Sequence, residues 1–189
     1  MTSDTFRFAS PQAFFPVAGK LIPWFSSLAA LLALAGLYVA FFVAPTDATQ
    51  GESYRIIFIH VPAAWMSMFI YVVMAGWAGF GLAMNTRLSG MMASALAPTG
   101  AMFTFLALVG VVNIPIIYFS VQWWNTLHQG ASVSLTRAPS MAATMLLGML
   151  LMTLAAWMYS IATTLARLRN IILERERDAE WVRMQRTAA

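Results

Sequence analysis

Long apolar stretches separated by short polar ones set the pattern of this chain. Residues 21–43 contain no Asp, Glu, Lys or Arg, and the same holds for 56–84, 91–119 and 140 to about 165. Each stretch exceeds the roughly 18 apolar residues that mark a membrane span. The pattern predicts an all-α, polytopic membrane helical bundle with four transmembrane helices. The first stretch is longer than the 7 to 15 residue core of a cleaved signal peptide, so it is expected to remain as a helix.

The punctuation fits that division. Residues 1–20 form an N-tail with no organised pattern, and 44–55 is a polar loop holding Pro45, Asp47, Gly51, Glu52 and Arg55. Proline suits the first turn of a helix, so Pro62 predicts a regular second helix from near Val61, with His60 at its mouth. Residues 85–90 make a turn, and 120–139 a second polar loop. Ser140 is a candidate N-cap for the fourth span. Residues 166–189 form a basic tail of helical propensity, with Glu174 and Arg177, and Glu180 and Arg183, spaced to pair at i,i+3.

Composition sharpens the class. The chain is 60% apolar and 10% charged, against about a quarter charged residues in soluble domains. It has no cysteine, which removes disulfides, thiolate metal sites and covalent heme attachment through thioethers. A net charge of +4 at pH 7 could suggest a nucleic-acid partner. Six of the eleven basic residues, however, lie in the last 23 positions, which is a membrane orientation signal, and no nucleic acid is expected. The N-tail, the 85–90 turn and the C-tail hold nine basic residues, and the loops 44–55 and 120–139 hold only Arg55 and Arg137. The positive-inside rule then predicts both tails in the cytoplasm and both loops outward.

That topology brings the only two histidines, His60 and His128, to one face. Each has aromatic neighbours in sequence, Tyr54 and Trp65 for His60, Trp123 and Trp124 for His128. Two readings stand. The histidines are interfacial residues with their polar tips at the headgroups, or two imidazoles that ligate one metal. Zinc wants three or four ligands, and the outward loops add only Asp47 and Glu52. Heme iron is satisfied by two axial imidazoles with aromatic cover, and Arg55 and the positive end of the second helix suit its propionates. Asn113 and Pro115 read as a kink, Gly76, Gly79 and Gly81 as helix-packing positions, and the basic tail as an anchor on anionic lipid. No nucleophile–base pair or paired-carboxylate site is present, so transfer and assembly, not enzymatic turnover, are expected.

Two stretches carry a resemblance: Ser53-Tyr54-Arg55-Ile56-Ile57-Phe58-Ile59-His60-Val61-Pro62-Ala63-Ala64, and Gly110-Val111-Val112-Asn113-Ile114-Pro115 continuing through Gln122-Trp123-Trp124-Asn125-Thr126-Leu127-His128-Gln129-Gly130. They resemble the CcmC family of bacterial cytochrome c maturation, over nearly the whole chain. The resemblance implies a six-helix inner-membrane protein that binds heme b non-covalently on its periplasmic face. It implies His60 and His128 as axial iron ligands, with Trp123 and Trp124 on the macrocycle and Arg55 at a propionate. It also implies transfer of heme to the chaperone CcmE, in company with CcmA, CcmB and CcmD.

The chain departs from the family between its third and fifth helices. There the family carries a tryptophan-rich segment of the type WGxxWxWDxRLT, the WWD segment, followed by a fourth helix. Here Phe103-Thr104-Phe105-Leu106-Ala107-Leu108-Val109 runs straight into Gly110. Both parent helices run outward, so the splice preserves an outward His128, but the aromatic floor for the heme is lost. Impaired heme presentation is expected, and the rival expectation is an assembly subunit that binds no heme of its own.

Overall fold

The computed structural model describes residues 10–48, 50–111 and 141–187. Among the described residues there are four helices long and apolar enough to cross a membrane. They are α1 (Pro11–Tyr38), α2 (Ile57–Met84), α3 (Arg87–Val111) and α4 (Ala143–Arg175), and a short α5 (Glu180–Thr187) follows. The end of the third stretch, the loop 120–139 and the start of the fourth stretch lie outside the described residues, and with them the Asn113–Pro115 kink.

Helix ends differ from the expected ones for local reasons. α1 begins at Pro11, not residue 21. Ser10 caps it, its Oγ accepting from Ala13 N at 3.3 Å and its carbonyl from Phe14 N at 3.1 Å. Pro11 costs nothing there, because the first backbone N–H groups of a helix have no partner anyway. A 3-10 turn over Glu52–Ile56 runs directly into α2, so α2 begins at Ile57 and His60 is its fourth residue. The turn between α2 and α3 shrinks to Asn85 and Thr86. Asn85 takes the left-handed conformation (φ 49°) that ends many helices, and Thr86 opens the next, its Oγ1 2.6 Å from Ser89 Oγ.

The chain divides into two compact units. One comprises Met1–Leu28, Met68–Ala101 and Met158–Ala189. Here α4 continues past Leu165 because Leu168 and Ile172 are fully buried. The Arg169 guanidinium lies over the Phe15 ring at 4.2 Å. A Cβ on Gly19 would stand 2.9 Å from Arg169 Nη1, so the absent side chain makes the room. After a turn, α5 folds back: Val182 is fully buried, and Trp181 meets Phe15 edge-on at 5.8 Å. The buried Glu176 ties the turn together. It accepts from Trp181 Nε1 at 3.1 Å and pairs with Arg87 at 3.0 Å. Among the described residues the tail's ion pairs include Arg87–Glu176 and those from Asp178 to Arg177 and Arg183.

The other unit comprises Ala29–Ser67 and Met102–Trp157. Its core is Ala40, Ala44, Tyr54, Phe58, Met145 and Met149, with Ile57, Val61, Trp65, Met141, Leu146 and Met152 against it. Close approach comes from glycines on α1 and α4. A Cβ on Gly148 would stand 2.9 Å from Phe58 Cε1, and one on Gly36 2.9 Å from Met152 Cγ. A Cβ on Gly76 or Gly79 would meet nothing within 4 Å among the described residues, so of the three expected packing glycines only Gly81, against Ser89, sits close to a described neighbour.

Large apolar side chains are exposed throughout both units, among them Trp24, Leu31, Phe42, Val72 and Leu82. Soluble monomers do not present apolar surface on that scale, and a bilayer is the solvent that suits it.

Candidate functional site

The polar end of α1 is where the first site residues meet. Val39–Val43 widen into a π-turn, and Ala44 N donates to Val39 O at 2.8 Å. In that spacing the donor due to Ala40 O is residue 45, a proline with no N–H to give. Arg55 supplies the missing donor: its Nη1 donates to Ala40 O, and its Nη2 to Ala44 O at 3.4 Å. Tyr54 meets the next carbonyl, its hydroxyl donating to Pro45 O at 2.7 Å. The same guanidinium donates through Nε to Glu52, whose other oxygen accepts from Thr46 Oγ1. Two consecutive side chains thus close the end of α1 onto the start of α2.

The 44–55 loop between them is hydrogen-bonded internally. Gln50 N donates to Asp47 Oδ1 at 2.8 Å, and Gly51 N to Asp47 O at 3.0 Å. Gly51 sits at φ 58°, ψ −139°, a conformation that a Cβ would disfavour.

His60 follows Arg55 by five residues and is partly buried. Its Nδ1 is sealed and has no hydrogen-bond partner among the described residues. The other sealed, unpartnered side-chain atoms among the described residues are Thr164 Oγ1 and Arg169 Nε. Its aromatic neighbours in sequence belong to the core of this unit. Tyr54 is 3% exposed and packs edge-on against Phe58 at 5.8 Å, and Trp65 packs against the same core. The positive end of the helix lies at the Glu52–Ile56 turn, before His60.

Among the described residues no three His, Cys, Asp or Glu side chains gather where they could hold a metal ion. A single imidazole can contribute one bond to an iron whose other ligands come with it, as in heme, but cannot hold a bare zinc. His128, Trp123 and Trp124 lie outside the described residues. Arg55 is described, and its fork is engaged by Glu52 and two carbonyls, with its side chain 14% exposed. The capping role of Arg55 was missed in the sequence, although its signal was there: a proline just after the apolar run removes a backbone donor that a nearby cation must replace.

The chain is similar to a set of curated proteins. It is 32% identical to Heme exporter protein C of Escherichia coli (strain K12), with 93% of this chain and 94% of that protein covered. The Haemophilus influenzae protein of the same name is 31% identical over the same shares. A putative cytochrome c biosynthesis ccmC-like mitochondrial protein of Marchantia polymorpha is 34% identical over 52% of this chain and 65% of its own. The alignment with the Escherichia coli protein spans 236 positions, whereas this chain has 189 residues, so at least 236 − 189 = 47 positions have no counterpart here. The model of the family described as Heme exporter protein C matches in two pieces, residues 5–109 and 105–183, which overlap over 105–109 beside the expected Val109–Gly110 junction. With both pieces and four membrane-capable helices, the chain is a multi-pass membrane protein of the CcmC family.

Proposed function

We propose that this protein handles heme for c-type cytochrome assembly, binding heme b non-covalently through His60 and His128. In this reading heme is cargo. It is taken up at the periplasmic face of the bacterial inner membrane, with both chain termini in the cytoplasm, and handed to the chaperone CcmE in company with CcmA, CcmB and CcmD. The observation that carries the reading is that both histidine motifs fall inside the matched stretches, His60 in the first and His128 in the second.

Trp123 and Trp124 are assigned to the macrocycle. Arg55 is assigned to a propionate, and the ion pair with Glu52 indicates how. Glu52 is largely exposed, 61% on its side chain, so a propionate carboxylate can replace it on Nε while the two backbone carbonyls keep the guanidinium in place. The aligned positions missing from this chain weaken the site, because a porphyrin between two ligands without a preorganised floor loses much of its burial.

The test is hemin titration of the purified full chain in detergent. A Soret band that both His60→Ala and His128→Ala diminish is expected, and a colourless protein after hemin loading would sink the proposal. The missing positions also favour a second reading, an assembly subunit without heme of its own. It is distinguished by co-purification of CcmA, CcmB and CcmD that survives mutation of both histidines while no Soret band forms.

A further inference from the structure

Near the start of α1 a cation from another helix is held against an aromatic ring. The Arg169 guanidinium of α4 lies 4.2 Å over Phe15, and Gly19, one turn along, leaves it room, since a Cβ there would stand 2.9 Å from Nη1. The next residue is Lys20, a second cation. All four lie in the unit that comprises Met1–Leu28, Met68–Ala101 and Met158–Ala189. Phe15 is buried, Arg169 is partly exposed and Lys20 is exposed. Ring and glycine thus fix one cation from two sides, while the other stays free to adjust.

The acids of this unit are directed elsewhere. Among the described residues Glu176 serves Arg87 and Trp181, and Asp178 serves Arg177 and Arg183. Glu174 is exposed, five positions past Arg169 and so about 140° round the helix from it. Further into the span, Trp24 follows Lys20 by one turn and Leu28 by two, on the same side of α1. Trp24 is 77% exposed and Leu28 is exposed as well. A basic residue, then a tryptophan, then leucine is the order in which a bilayer passes from headgroup to hydrocarbon.

We propose that Arg169 and Lys20 hold the phosphate of an anionic phospholipid whose acyl chain runs along Trp24 and Leu28. The guanidinium offers paired donors that two phosphate oxygens can accept from, and the ammonium adds a contact on a flexible stem. A lipid fits better than a free phosphate, because the cations and the exposed apolar side chains follow one another on one helix as the two halves of a phospholipid do.

The test is to titrate the full chain in detergent with phosphatidylglycerol, and with phosphatidylcholine of the same acyl chains, counting bound lipid by native mass spectrometry. A first phosphatidylglycerol is expected to bind more tightly than phosphatidylcholine. Lys20→Gln, at an exposed position where packing is not at risk, is expected to weaken it about 5-fold, and Arg169→Gln at least as much. Arg169→Lys keeps the charge but loses the fork, so most of that loss is expected to remain. Gly19→Ala changes no charge but displaces the guanidinium, and weaker binding is expected there too. Arg167→Gln removes an exposed charge about 200° round α4 from Arg169, and unchanged affinity is expected. Diffuse attraction to a basic surface predicts otherwise: Arg167→Gln would match Arg169→Gln, and Arg169→Lys would bind as wild type does. Either result overturns the inference, as does equal binding of the two lipids or a Lys20→Gln protein that binds as wild type. Displacement of the lipid by inorganic phosphate overturns it in favour of a free-anion site.

Discussion

Replacing Glu176 by alanine is expected to release the C-terminal helix. The carboxylate is 7% exposed, while Arg87, its partner at 3.0 Å, is 71% exposed. The pair is therefore half in solvent, and its charge term is discounted to about 1 kcal/mol. The second loss is less forgiving. Trp181 Nε1 donates to the same carboxylate, and a buried donor left without its acceptor costs about 1–3 kcal/mol. Together the substitution weakens docking of α5 by roughly 2–4 kcal/mol, or about 30–700-fold in the opening equilibrium at 1.4 kcal/mol per tenfold.

Glu176→Gln keeps an oxygen for Trp181 and loses only the charge, so about 5-fold is expected. Trypsin reads this directly, because Arg177 and Arg183 flank the start of α5. Cleavage of a transiently open segment follows the opening equilibrium when reclosing is fast. Native-state cleavage rates at those two sites that match in wild type and Glu176→Ala would refute the reasoning. So would a glutamine variant cleaved faster than the alanine one.

Three further outcomes follow from the packing. Gly148→Leu drives a side chain into Phe58, whose Cε1 would already stand 2.9 Å from a Cβ there; a loss of about 1–3 kcal/mol is expected, read as a lowered melting temperature in detergent. Arg55→Lys exchanges a fork that meets Glu52 and two carbonyls for a point donor. Faster hydrogen exchange across 40–55 is expected, with the rest of the chain unchanged. Asn85→Val places a β-branched residue at φ 49° and should cost about 1–2 kcal/mol, whereas Asn85→Gly should be neutral or stabilising in the same melting assay.

The helical class was legible because apolar runs of this length have one common solution in a bilayer, where every backbone group must be satisfied within the segment. The boundaries were less so. The reach of α1 back to Pro11 depends on Phe15 and Ala18 being buried, and that of α4 to Arg175 on Leu168 and Ile172. Phe15 meets Arg169 and Trp181, far along the chain, and no local period reveals such contacts. The same holds for the glycines: Gly36 and Gly148 are no different in sequence from Gly76 and Gly79, and only the partners Met152 and Phe58 separate them. At the site, the histidines were visible as the only two in the chain. The environment of His60 was not, since a sealed Nδ1 is a property of three-dimensional packing.

A helix has an angular register as well as a linear one. Each residue turns the axis by about 100°, so a helix that slips by one position faces its side chains elsewhere. The carbonyls of Ala40 and Ala44 that Arg55 reaches are fixed at the end of α1, and the 3-10 turn joins Arg55 to α2 without a break. Arg55 thus works as an indexing pin that sets the azimuth of the second helix, and His60, five residues on, inherits its bearing from it. A change in the Pro45–Arg55 loop would then turn the His60 imidazole to a new bearing without altering His60 itself.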